Sequence, residues 1–220
     1  MPKRTTTTTT VADADGARRA LAAVLRALAG HTSTDKTRPH LQHVCIRQVP
    51  VHCPRCAEDR GVAIPAACPH GAAPVVRLEA TDGHALIRVD VPRVVLDAIG
   101  APPTGIYATT ASAARLAAGV APEPLPDDVA SVSAWPRTDQ VIPHETMAPG
   151  ASCAFSPVLL GGVLDTIAKL AAAFGGRRDD PARIQFGQAS VDPARITRAV
   201  CVDGTDATVS ITAVVMPMKL

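Results

Sequence analysis

The sequence predicts an α+β fold, with helices gathered on one face of antiparallel sheet. Three observations predict it. Apolar and polar residues alternate on either side of Asp82-Gly83, the period of strands that bury one face. Two stretches, about 16–29 and 157–174, carry apolar residues at helical spacing instead. The order helix then strands recurs near 16–91, 105–143 and 154–220, with the middle copy abbreviated.

Residues 1–14 include six consecutive threonines and read as a polar, low-complexity, disordered tail. A helix follows from about Gly16 to Ala29, ended by Gly30. Leu21, Val24, Leu25 and Leu28 share one face, and Arg19 and Arg26 lie opposite at a seven-residue spacing; a merely solvated face is the plain alternative for those arginines. A strand is expected over His40–Gln48. In the hairpin, Val76, Leu78 and Ala80 point one way and Arg77 and Glu79 the other; Ile87, Val89 and Val91 then alternate with Arg88 and Asp90. Asp-Gly between such runs is a strong turn signal, because Gly takes positive φ without steric cost.

Beyond the hairpin, a short helical turn is expected from Val94 to Ile99. Gly105–Thr109 reads as a strand, followed by a helix from Ala111 to Ala118 with Thr110 as its cap and Gly119 as its stop. The Pro- and Asp-rich stretch 121–128 is a connector. The last helix runs from Pro157 to Phe174, with Ser156 as cap, Pro157 at its first position and Gly175 at its end. Its buried stripe is Leu160, Val163, Leu164, Ile167, Leu170 and Phe174, with Lys169 opposite. Gly161-Gly162 inside it costs roughly 1 kcal/mol per glycine relative to Ala, which suggests close approach of another backbone. Strands are expected at Ala182–Phe186, Ile196–Val202 and Thr208–Met216.

An insertion at 50–74 interrupts this pattern with Cys53-Pro54-Arg55-Cys56 and, further on, Cys68-Pro69-His70. Cys53, Cys56, Cys68 and His70 form a small zinc-ribbon or knuckle pattern, since short spacing lets both ligands of a pair face one Zn2+. The alternative is a loop with free thiols. A deaminase-type catalytic zinc is the weaker reading, because that pattern needs a His-x-Glu element and the chain has none.

Lys and Arg total 22 against 20 Asp and Glu, so a basic surface must come from placement rather than number. Aromatic residues make up 2% of the chain, which argues against stacking on single-stranded bases. No run approaches the ~20 apolar residues of a membrane span, and the N-terminus lacks the apolar centre of a secretory signal. A cytoplasmic location is expected, with cysteines as thiols or metal ligands. Enzymatic chemistry is not expected: Asp82 and His84 are neighbours on one turn, with no nucleophile or second carboxylate constellation.

The wording Ala80-Thr81-Asp82-Gly83-His84 resembles a segment of the bacterial DNA polymerase III β subunit, the sliding-clamp processivity factor. Val214-Val215-Met216-Pro217-Met218-Lys219-Leu220 is similar to that family's C-terminus, and Trp135-Pro136 before Val141-Ile142-Pro143 is similar to another of its segments. The resemblance covers most of residues 20–220 and marks this chain as a compact, divergent member. His43 stands where the family usually has Gly, and Ala85 where it usually has a long basic residue.

The resemblance implies the clamp fold, divided here into a clamp-like domain over 15–143 and a C-terminal half-domain over 144–220. It implies a homo-oligomeric ring around double-stranded DNA, in which helices offer cations to phosphates without reading bases. Arg19, Arg26, Arg115 and Lys169 are the candidate DNA-facing residues. Three modules per chain suggest a tetramer. It also implies a pocket for the short apolar peptides of polymerases and other clients. Leu41, Thr81, Gly83, His84, Leu86, Pro136, Val141, Val214, Met216, Pro217 and Met218 fall on the family's pocket segments, and Trp135 is placed beside them. Two other classes compete: a clamp-derived adaptor or inhibitor that forms no ring, and a zinc-ribbon regulator that binds nucleic acid through the insertion.

Overall fold

The hairpin forms as the alternation requires. Strand β2 (Val75–Thr81) pairs antiparallel with β3 (Ala85–Pro92), and Glu79 stands opposite Arg88. At the turn the Asp82 carboxylate accepts hydrogen bonds from the backbone N–H of His84 and Ala85, both 2.8 Å. Gly83 takes φ +92°. A Cβ there has room, so the backbone angle and not crowding calls for glycine. These elements belong to a computed structural model that describes residues 13–49, 75–99, 104–126, 135–142, 155–186, 193–202 and 207–217.

The other strands are β1 (Val44–Val49), β4 (Gly105–Tyr107), β5 (Arg183–Gln185), β6 (Ala194–Cys201) and β7 (Thr208–Val215). The seven strands of the described residues form one antiparallel sheet in the order β4-β1-β2-β3-β7-β6-β5. The β3–β7 ladder, with Leu86 opposite Val214, joins the first part of the chain to the last within a single sheet. The fold is therefore α+β on antiparallel sheet. The domain boundary expected near 144 lies outside the described residues.

Helix α1 (Ala14–Leu28) starts two residues before its expected position, because Asp13 caps it by accepting from Gly16 N–H. Ala14 thus belongs to the helix and Asp13 is its cap, not tail; the rest of the tail is outside the described residues. After the short α2 (Arg93–Leu96), helix α3 (Thr109–Ala117) is preceded by Ala108, not capped by Thr110, and makes no side-chain cap bond. Helix α4 (Pro157–Ala173) has Pro157 at its first position, and Ser156 Oγ accepts from Leu159 N–H at 3.3 Å.

Helix α1 lies between α3 and α4. The three close over one face of the sheet with Leu21, Leu25, Leu116, Val163, Ile167 and Leu170 against Ile46, Leu78, Ile87, Val89, Ile211 and Val215. Burying side chains of this size is worth about 1.5–3 kcal/mol each, so this layer holds the fold together.

Several expectations are corrected here. Leu160 and Leu164 are only half-buried; Thr166 and Ala171 fill the stripe instead, because α4 leans on α1 as well as on the sheet. Gly161 and Gly162 are exposed, and a Cβ at either would meet nothing within 4 Å, so among the described residues no backbone approaches them. Residues Pro39–Gln42 form a 3-10 turn, not the start of a strand. Pro39 fixes the turn's entry, Leu41 N–H donates to Arg38 O, and Leu41 O accepts from Ser33 N–H, so β1 begins only at Val44.

Candidate functional site

Successive residues of a strand point to opposite faces, so the residues alternate with Ile87 and Ala213 reach the side of the sheet opposite the α1–α3–α4 layer. At the turn end of the β2–β3 hairpin on that side lies a pocket of about 180 Å3. Its floor is Leu41, Leu86 and Val214, all buried. Met216 and Val141 stand at its rim, 38% and 39% exposed. Pro136 and Thr138 complete one wall, and Thr81, Gly83, His84 and Ala85 another, with Arg38 beside the turn. Met216 is held there because its N–H donates to His84 O at 2.9 Å, which extends the β7 pairing one step past the strand.

Of the residues the resemblance implies for a pocket, Leu41, Thr81, Gly83, His84, Leu86, Pro136, Val141, Val214 and Met216 line this one. Pro217 follows Met216 but is not part of the lining, and Met218 lies outside the described residues. Trp135 is not a pocket residue. It is buried beneath, packed with Leu41, Cys45 and Ile106. Burial pushes the Cys45 thiol up to about 12, so it stays protonated. Sequence reasoning missed Arg38, Thr138 and Ala85. Arg38 stands three residues before Leu41 in the same turn, a signal hidden by the strand expected there.

The face around the pocket departs from the alternation in a second way. Glu79, on the nominally outward side of β2, is 0% exposed, and Arg88 is 6% exposed. The Glu79 carboxylate accepts from Arg88 Nε at 2.8 Å, from Thr138 Oγ1 at 2.5 Å and from Arg47. Segment 135–142 lies over Glu79 and Arg88 and keeps them from water while Arg47 stays half-buried at the edge, which no strand periodicity records. Two arginines sharing one carboxylate and a hydroxyl give the charges the partners that burial demands.

A second concavity, about 680 Å3, lies between α1 and α4 on the outer surface of the helix layer. Arg19, Arg26, Lys169 and Arg178 line it over a floor of Ala20, Ala23, Ala27 and Ala172. Lys169 Nζ and an Arg178 Nη lie 2.6 and 2.7 Å from the two oxygens of Asp165. These contacts, the hydrogen bond from Lys169 first, hold the Asp165 carboxyl below its usual range. Arg19, Arg26 and Lys169 are thus brought together, joined by Arg178, which lies beyond the end of α4 where helical periodicity does not reach. Arg115 is not in this groove. It donates to Ala121 O and Glu123 instead.

No group of His, Cys, Asp and Glu among the described residues is placed to hold a metal ion, and Cys53, Cys56, Cys68 and His70 lie outside them. No described helix is long and apolar enough to cross a membrane. Comparison with family models, with curated proteins and with solved structures finds no match for this chain.

Proposed function

We propose that the chain is a compact sliding clamp: a homo-oligomeric ring that encircles double-stranded DNA and tethers polymerase or other clients through an apolar peptide pocket. The observation that carries this reading is the convergence of four distant segments, around Leu41, Thr81–Leu86, Pro136–Val141 and Val214–Met216, on one small apolar pocket. Those are the segments that resemble the clamp family. A flexible Met at the rim suits an apolar guest of variable shape. The basic groove between α1 and α4 supports the DNA side, since cations on the helix layer suffice for sequence-independent attraction. Such a protein acts with the DNA in the cytoplasm, and the insertion would hold one structural zinc through Cys53, Cys56, Cys68 and His70.

Titration calorimetry of a short synthetic Leu- and Phe-containing peptide tests the pocket. Wild type should bind at micromolar level, because burying a few apolar side chains at about 25 cal/mol per Å2 supplies that affinity. Deleting Met216–Leu220 should abolish binding; equal affinities would overturn the reading. Metal analysis of protein purified without added zinc should find one zinc per chain, and a metal-free protein that takes up none on addition would remove that assignment.

One observation favours the adaptor reading over a closed ring. Leu125 N–H donates to Ile106 O at 2.6 Å, so the chain's own connector already uses part of the outer edge of β4. Pairing between subunits at that edge is restricted accordingly. Light scattering after size exclusion decides between the two: a tetramer supports the ring, and a monomer at micromolar concentration supports the adaptor.

A further inference from the structure

Segment 135–142 forms one wall of the pocket without joining the sheet ladder. Its backbone hydrogen bonds are internal, from Thr138 N–H to Pro136 O, Gln140 N–H to Arg137 O and Val141 N–H to Thr138 O. Buried side chains dock it instead. Trp135 packs with Leu41, Cys45 and Ile106, and Ile142 packs with Leu86 and Val214. Between these two apolar anchors, Thr138 is the polar one, 1% exposed. Its hydroxyl donates to Glu79 Oε1 and accepts from Arg88 Nη2 at 2.6 Å and Arg47 Nη2 at 3.2 Å.

We infer that Glu79, which does not touch the pocket, is a positioning residue for it: acting through Thr138, it holds the 135–142 wall against the sheet. Apolar contacts are non-directional and leave a segment free to slide, whereas a buried hydroxyl with one acceptor and two donors fixes its position. Removing the charge at Glu79 deprives Arg47 and Arg88 of the carboxylate they share, and water then enters under Thr138. The assignment of a pocket function to this wall rests on the peptide-binding reading above; the positioning itself does not.

Trp135, the one tryptophan of the chain, begins the wall and reports on it directly. Glu79→Gln keeps shape and removes charge, and Thr138→Val keeps shape and removes the hydroxyl. Both should shift Trp135 emission to the red, raise its quenching by acrylamide, and weaken the Leu- and Phe-containing peptide about tenfold, the scale of one missing buried hydrogen bond. Thr138→Ser should restore the wild-type values. If Glu79→Gln fails to fold, the uncharged Thr138→Val carries the test alone. Emission and quenching unchanged from wild type in the folded variants would overturn the inference. A red shift in variants of a wild type that binds no peptide would support the positioning and overturn the pocket reading.

Discussion

The two faces of the sheet are sealed by different physics. Along β2 and β3 the helix-covered face presents Val76, Leu78, Ala80, Ile87, Val89 and Val91, and apolar helix stripes close over it. The opposite face of the same strands buries Glu79 and Arg88 under a segment without regular strand structure, beside a pocket lined by Leu86 and Val214. An apolar face accepts any apolar partner of suitable shape. A buried charged face accepts only partners that satisfy each donor and acceptor, which fixes where 135–142 docks. The difference teaches that the polar half of an alternating strand pattern does not by itself mean solvent.

The largest test of this contrast is Glu79→Ala. It should cost about 3–5 kcal/mol, because it leaves the buried Arg88, and the half-buried Arg47, without their shared carboxylate. Leu25→Ala on the helix face should cost a similar ~2–5 kcal/mol from reduced burial and a cavity. Urea unfolding followed by circular dichroism measures both, and a near-neutral Glu79→Ala would mean that the covered face is wet.

Charge reversal on the far side of the helix layer should leave stability within about 0.5 kcal/mol, since Arg19 and Arg26 are exposed. Retention of Arg19→Glu/Arg26→Glu protein on circular DNA, followed against salt, should show a weaker dependence, by about 0.9 in the log–log slope for each phosphate no longer neutralised. An unchanged slope would separate this groove from DNA. Retention that survives linearisation would mark ordinary basic-patch binding instead of encirclement.

The same helix layer should tolerate improvement where it faces open space. Gly161→Ala and Gly162→Ala should each stabilise the protein by roughly 0.5–1 kcal/mol, since both sites are exposed, helical and uncrowded. Thermal unfolding measures this, and destabilisation would revive a packing role for these glycines.

The smallest effect concerns His31, at the end of the helix layer. It is buried, with Nε2 2.8 Å from Thr166 Oγ1. Desolvation lowers its pKa from 6.5 most, with Lys169 acting the same way, against Asp82 and the Gly162 backbone, which raise it. Well above pH 6.5 the ring is neutral in folded and unfolded chains alike, and stability is undiminished. As pH falls below that value the unfolded chain takes up the proton first, so stability declines until pH passes beneath the folded pKa. His31→Gln should therefore lose less stability than wild type between pH 7 and 5 in urea titrations; His43, also lowered by burial, contributes to both.

Much of the helix-covered face was legible in advance. The stripe Leu21, Val24, Leu25 and Leu28, the hairpin about Asp82-Gly83, and the Ser156–Pro157 helix start are local patterns whose physics lies within a few residues. The pocket was legible only in pieces, through resemblance of short segments, because its walls lie far apart in the chain. Arg38 was hidden by the 3-10 turn around Leu41, and Arg178 by its place beyond α4. Nothing adjacent to Glu79 in sequence announces that Thr138 will cover it.

By itself, then, the sequence determined the order of the main helices and strands and most of their apolar faces, though not the 3-10 turn at Pro39–Gln42, because period and capping act over one or two turns of chain. Tertiary structure alone decided that β3 pairs with β7 in one continuous sheet. It decided too that Glu79 and Arg88 are buried, and that the Leu41, Leu86, Val141 and Met216 side chains share one pocket. Those outcomes depend on which distant surfaces meet, and burial is a property of the neighbour that arrives, not of the residue that waits for it.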